Sequence, residues 1–229
     1  MSERTAILDR IREALALSAP HPGTHGGHEA AVTFADRPVH VAQQWLPPGG
    51  ETFEEQVERF RVASTELKTD FHLLASRDEA HATLAKICDA ESWKKVATHS
   101  GTLTDPAATA LGLPVLRSER GYDVNEMESC DIGLTECDSL VAQTGSLVVT
   151  SRSCGGRALS VLPPHHVVLA RRDQLVRDLS AALALVQRKY APDYPSMISL
   201  VTGPSRTGDI ERILVLGAHG PKKLTVLCW

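Results

Sequence analysis

Apolar residues recur along this chain with two periods, and the alternation between them outlines its elements. Phe53, Val57, Phe60 and Leu67 fall on one helical face and predict a helix over 53–68. Thr52 and Glu55 stand ahead of it in the T-x-x-E spacing of a capping box. The apolar run from Phe71 to Ala75 predicts a strand. Ser76 and Glu79 repeat the capping spacing before Ala80, Leu84 and Ile87, so a second helix follows. Lys94 to Thr98 and Pro114 to Arg117 predict two further strands. Between them Asp105 caps a short helix that has Pro106 at its first helical position and ends at Gly112. The order strand, helix, strand, helix, strand over 71–117 predicts parallel pairing through helical crossovers.

The later half is denser in strands: Asp131–Thr135, Ser146–Ser151, Val167–Ala170, Met197–Val201 and Leu224–Cys228. A helix over 173–188 is expected to bury Leu175, Val176, Leu179, Leu183 and Val186. At the other end, Ile7, Leu8, Ile11 and Leu15 share a face of a helix over 5–17. The Pro-, His- and Gly-rich stretch 18–27 predicts a flexible linker. The expected organisation is an N-terminal helix and linker over 1–30 and one domain over 31–229. Its expected class is α/β, a mostly parallel central sheet with helices on both faces.

Composition narrows the function classes. Hydrophobic residues make up 42% of the 229 positions and aromatics 4%, so the core must consist mainly of aliphatic side chains. Net charge is −4 and no basic stripe stands out, which argues against nucleic acid as a partner. Arg171-Arg172 and Lys222-Lys223 read as solvated surface charges. No apolar run approaches the length of a membrane span. Cys88, Cys130, Cys137, Cys154 and Cys228 are widely spaced and form no C-x-x-C pair, so zinc-knuckle and iron–sulfur ligand patterns are missing. No resident cofactor or metal is expected. The cysteines read as reduced thiols of a cytoplasmic protein. His165 and His166 are neighbours whose side chains point to opposite faces in extended backbone, which argues against a shared metal. Dinucleotide-binding, phosphate-loop and nucleophile-elbow glycine motifs do not occur.

Three segments place small, polar and charged residues at strand ends. They are Thr135-Glu136-Cys137-Asp138 with the following Gln143-Thr144-Gly145-Ser146, then Thr202 to Glu211, then Gly217-Ala218-His219-Gly220-Pro221. In the second, a strand runs into Gly203-Pro204 and an expected helical turn from Ile210. Ser205 and Thr207 could cap that turn or donate to an anion, and Arg206 could hold a carboxylate or phosphate in a fork. The same residues also suit an elaborate helix cap with a solvent-facing Arg206. Thr144, Gly145 and Ser146 suit either an opposite wall of the same site or a tight turn needing glycine. Glu136, Asp209 and His219 are the candidate acid–base groups, each with a plainer role as a solvated or loop residue. No spacing supports a nucleophilic triad of Ser205, Asp209 and His219.

The blocks Ala142-Gln143-Thr144-Gly145-Ser146, Val161-Leu162-Pro163, Gly203 to Glu211 and Gly217 to Pro221 together resemble the LUD family, and the resemblance extends over most of the chain. It implies a fold similar to that of CoA-transferases, ribose-phosphate isomerases and glucosamine-phosphate deaminases. It also implies a part in oxidising L-lactate to pyruvate beside two iron–sulfur partner proteins. This chain is similar to the short, cluster-free type, which implies a non-redox component. The alternative is a stand-alone enzyme acting on an anionic small molecule. Gln143 departs from the family's usual Glu; a hydrogen bond survives that exchange and a charge does not.

Overall fold

The computed structural model describes Arg12 and residues 46–208, 214–217 and 219–229. The helix expected over 5–17, the 18–27 linker, the boundary near residue 31 and the turn from Ile210 lie outside them. Leu46–Trp229 is one of two compact units of the chain.

In chain order its main elements are α1 (Phe53–Glu66), β1 (Asp70–Leu73), α2 (Arg77–Glu91), β2 (Val96–Thr98), α3 (Thr104–Leu111), β3 (Val115–Arg117), α4 (Val124–Glu128), β4 (Ile132–Glu136), β5 (Ser139–Val141), β6 (Ser146–Thr150), β7 (His165–Ala170), β8 (Leu175–Val176), α5 (Leu179–Tyr190), β9 (Ile198–Val201), β10 (Arg206–Gly208), β11 (Leu214–Leu216) and β12 (Lys223–Cys228). Six strands form one sheet in the order β1-β12-β7-β4-β2-β3. Every pairing in it is parallel, as the alternation over 71–117 predicts.

Side chains alternate between two cores. Ile132, Leu134, Val167, Leu169 and Leu227 face Ala80 and Leu84 of α2 and Ala107 and Ala108 of α3. Val168, Ala170, Leu224 and Val226 face Phe60 of α1 and the inner residues Leu140, Leu147 and Val149. β7 is buried along its whole length, the mark of a strand covered on both faces. Each fully buried Leu or Val contributes about 1.5–3 kcal/mol. Helices therefore lie on both faces, and α/β is the observed class.

A second sheet lies over one face, in the order β8-β5-β6-β9. Here β6 is antiparallel to both β5 and β9. This changes one expectation. The strand ending at Val201 and the Gly145 turn do not open on the same side as β4 by virtue of one parallel sheet. They belong to a different sheet with a different direction. Arg206–Gly208 is likewise a strand, paired antiparallel with Leu214–Leu216.

The helix expected over 173–188 starts later. Asp178 accepts from the Ala181 N–H at 2.8 Å and caps α5 at Leu179. Leu175 and Val176 are drawn into β8, and Leu183 is 55% exposed because Ala182, Val186 and Tyr190 form the buried stripe.

Candidate functional site

The carboxyl ends of β2, β4 and β7 open into a cavity of about 420 Å³. This is where parallel sheets place their ligands, because loops diverge there and strand-end groups converge. The loop after β2 supplies His99 to Leu103, β4 supplies Glu136 and Cys137, and α5 supplies Lys189 and Tyr190. Arg152, Arg171 and Gln174 complete the wall.

Glu136 is held from one side. Its Oε1 accepts the N–H groups of Leu103 at 2.8 Å and Thr104 at 3.3 Å. The first residue position of α3 has no local side-chain cap, so the carboxylate from β4 does that work. Asp105, expected to be the cap, instead pairs with Arg117 at 2.6 Å. Arg117 also donates to the His99 carbonyl at 2.8 Å. Gly101 has no room for a side chain, since a Cβ there would sit 2.2 Å from Glu136 Oε1.

His99 is fully used by the backbone. Its Nδ1 lies 3.0 Å from the Ser100 carbonyl, which can only accept, so the proton sits on Nδ1. Its Nε2 then accepts the Glu136 N–H at 3.3 Å. This histidine positions the backbone of Glu136.

Asp138, outside the lining of this cavity, is buried and gathers two donors that do line it. Its Oδ1 accepts from Lys189 Nζ and from the Tyr190 hydroxyl, each at 2.6 Å. Its Oδ2 is buried with no hydrogen-bond partner among the described residues. Burial pushes the Asp138 carboxyl up, but the hydrogen bonds from Lys189 and Tyr190 outweigh it and hold it below the usual range. Burial also pulls Lys189 down, and the bond to Asp138 outweighs that and keeps it charged. Tyr190 is pushed up by burial and by donating to Asp138, so it remains a phenol. Arg152 pairs with Asp193 at 2.5 Å and Arg171 with Asp173 at 3.1 Å. Both pairs are largely exposed, where such contacts contribute roughly 0–1 kcal/mol and yield to a ligand. Burial pushes the Cys137 thiol well above its ordinary range, so it is a poor nucleophile.

Of the nine residues singled out in the sequence, Glu136 borders this cavity. The others that can be placed lie elsewhere. Thr144 and Ser146 share a hydroxyl chain with Thr202, with contacts of 2.8 Å each. Gly145 has φ +65°, and a Cβ on it would meet Ala63 and Ser64 of α1. Ser205 and the 217–221 loop do come together: Ser205 N–H donates to the Pro221 carbonyl at 2.8 Å and Gly217 N–H to the Ser205 carbonyl at 2.9 Å. Arg206 donates to the Leu67 carbonyl at the end of α1. His219 is exposed. Asp209 lies outside the described residues, as does the side-chain environment of Thr207. Gln143 donates from Nε2 to the Pro47 carbonyl at 2.8 Å, a bond that an ionised Glu could not make.

Sequence reading missed Arg171, Lys189 and Tyr190 as site residues and named Asp138 only within the strand-end segment 135–138. One signal was present: Arg171 and Asp138 directly or nearly follow β7 and β4, at the strand ends where ligands bind. Arg171 and Arg172 are both exposed, as the sequence reading has them. Arg172 donates to the Leu74 carbonyl at 2.9 Å and ties the ends of β1 and β7 together. His165 and His166 do point to opposite faces. His165 meets Glu91 and Thr225, whereas His166 meets Thr135.

Comparison with known proteins adds the ancestry of this arrangement. A stretch of the chain is 36% identical over 109 residues to lactate utilization protein C of Anoxybacillus flavithermus, covering 47% of this chain and 48% of that protein. It is 33% identical over 118 residues to lactate utilization protein C of Deinococcus radiodurans, covering 51% and 55%. The matched stretch thus spans about half the length of these curated relatives. Among solved structures, a DUF162 family protein from Deinococcus radiodurans superposes with a TM-score of 0.61 at 21% identity, over 78% of this chain and 99% of that one, which shows the shared fold. The sequence profile of the LUD domain matches residues 57–228, most of the chain, and the chain therefore belongs to the LUD domain family.

Proposed function

We propose that this protein is a non-redox component of a lactate-utilization system, working in the cytoplasm beside iron–sulfur proteins that carry electrons from L-lactate, and that its sheet-end cavity binds a small anion. The relatives' name supports the system, and one observation carries the anion site. A carboxylate, Glu136, is fixed on one wall by the start of α3, while Arg152, Arg171 and Lys189 line the remainder of the same cavity. The five cysteines are free and buried, and burial pushes the thiols of Cys137, Cys154 and Cys228 up. Among the described residues no helix is long and apolar enough to cross a membrane.

A second reading has one specific support. Glu136 Oε1 is occupied by backbone donors, while the side chain still borders the cavity. A stand-alone enzyme acting on the bound anion would use it as a fixed acid–base group. In that reading the cluster around Ser205, Arg206 and His219 is a support for the fold and not part of the reacting site.

Affinity capture of the full chain from its native cell, grown on lactate, separates these readings. Co-purification of iron-containing partner proteins supports the component role. Capture of the chain without them, together with turnover of an anion by the chain itself, rejects it in favour of the enzyme. Calorimetric titration with L-lactate, pyruvate, phosphate and sugar phosphates tests the cavity. Binding that survives Glu136→Gln and Arg171→Ala unchanged would remove the site.

A further inference from the structure

An open sheet has two edges, and an edge strand with free backbone groups is a template for another strand. Among the described residues the two larger sheets end in β1, β3, β8 and β9. Three of these edges are blunted. β1 carries the Asp70 carboxylate, 61% exposed. β3 has three residues and ends in Arg117, and β8 has two residues. β9 has none of these guards. Met197 to Thr202 holds no charged residue, no Pro and no Gly, the composition that pairs most readily with a further strand. One face of β9 is also bare. Val148 packs against Ala182 and Val186 of α5, and Leu200 and Ile198 lie opposite Val148 and Thr150. Directly opposed residues share a face, so Ile198 and Leu200 point to the α5 side. They nevertheless remain 42% and 46% exposed.

The backbone is oriented for a partner. The Met197 carbonyl accepts the Ser151 N–H at 3.0 Å, so Met197, Ser199 and Val201 turn their backbone groups toward β6. Ile198 and Leu200 turn theirs to the open edge. Which strand fits that edge is written in β9 itself. Read outward from Ser199, the chain has the same chemistry in both directions. Leu200 answers Ile198, Val201 answers Met197, Thr202 answers Ser196 and Gly203 answers Pro195. An antiparallel copy centred on Ser199 sets Ile198 against the partner's Leu200, Met197 against the partner's Val201 and Ser199 against the partner's Ser199. Slipping by one or two residues sets Ser199 against an aliphatic side chain. In the centred register Ile198 and the partner's Leu200 exchange both main-chain hydrogen bonds, and the twofold axis repeats the exchange. We infer that β9 is a homodimer interface, where a second copy of this chain pairs antiparallel about Ser199 and joins the two smaller sheets into one.

Sedimentation equilibrium of the full chain should show a reversible dimer. Leu200→Lys should weaken it at least about tenfold, because two buried leucines are lost per dimer. Ile198→Glu alone should weaken it too. The two substitutions combined set opposite charges at opposed positions and should restore the dimer. Ser199→Cys should crosslink the copies under mild oxidation, since residues opposed in a pair without hydrogen bonds lie close enough for a disulfide. Ile198→Cys, offset by two positions from its own copy, should not. Circular dichroism checks that each variant folds, and the Ser199→Cys crosslink decides the matter if a charged variant does not. A chain that is monomeric at every concentration overturns the inference. So does a dimer that Leu200→Lys leaves intact, or one that the combined charges fail to restore. Crosslinking through Ile198→Cys and not through Ser199→Cys rejects the pairing about Ser199.

Discussion

The carboxyl end of the parallel sheet and the rim of the second sheet are both rich in glycines and hydroxyls, yet they spend them differently. At the second-sheet rim, Gly145 and Gly203 press against Ala63, Ser64 and Leu67 of α1, and Thr144, Ser146 and Thr202 satisfy one another. Arg206 completes the end of α1. The groups there are turned inward on the fold. At the sheet end, Gly101 makes room for the Glu136 carboxylate, Arg152 and Arg171 lie on weak, exposed pairs beside open volume, and Lys189 is held by buried Asp138. A dense motif can therefore mark a joint, while a site can be assembled from single residues at separate strand ends.

Substituting the two glycines breaks this comparison most directly. Gly145→Ala puts a side chain at φ +65° with Ala63 Cβ at 2.9 Å. It should cost about 3 kcal/mol of stability in urea unfolding and leave anion affinity unchanged in the fraction that folds. Gly101→Ala displaces Glu136 and uncaps α3, so it should cost about 1–2 kcal/mol and also reduce anion binding. Equal loss of binding from both variants would sink the distinction.

Acid sets the range in which the regions can be compared at all. Burial lowers the His166 pKa to about 3, and His165, also lowered chiefly by burial, moves in the same direction. The unfolded chain takes up a proton near pH 6.5 that the native His166 refuses. Stability is thus greatest above that pH and falls as pH drops from 6.5 toward 3. The slope from His166 alone is at most about 1.4 kcal/mol per pH unit. Urea midpoints measured from pH 7.5 to 4.5 should fall, and the slope should flatten in His166→Gln. A slope equal in both proteins would assign the acid sensitivity to other groups.

Arg206→Ala gives the smallest effect and the sharpest choice between uses of that residue. As a tie to the Leu67 carbonyl it is worth about 1 kcal/mol, with no change in anion titrations. A tenfold or greater loss of anion affinity without loss of stability would return the 203–208 segment to the binding site.

Local physics accounts for what the chain itself discloses. The Thr52 box, with Thr52 Oγ1 accepting from the Glu55 N–H at 3.2 Å, needs only residues three apart, and so it was legible. So were the alternation that yields the parallel sheet, and the opposed directions of His165 and His166, which follow from strand geometry. Glu136 was legible as a strand-end carboxylate. The remainder of the cavity was not, because Arg171, Lys189 and Glu136 are distant in sequence and meet through the sheet order. The pairing of β9 with β6, and so the removal of the 203–208 segment from the parallel sheet's open end, depends on which edge a strand joins. Hydrophobic period specifies that a strand forms and which face it buries. Partner choice rests on long-range packing, and that is why the tertiary structure alone decided where the charges of this protein converge.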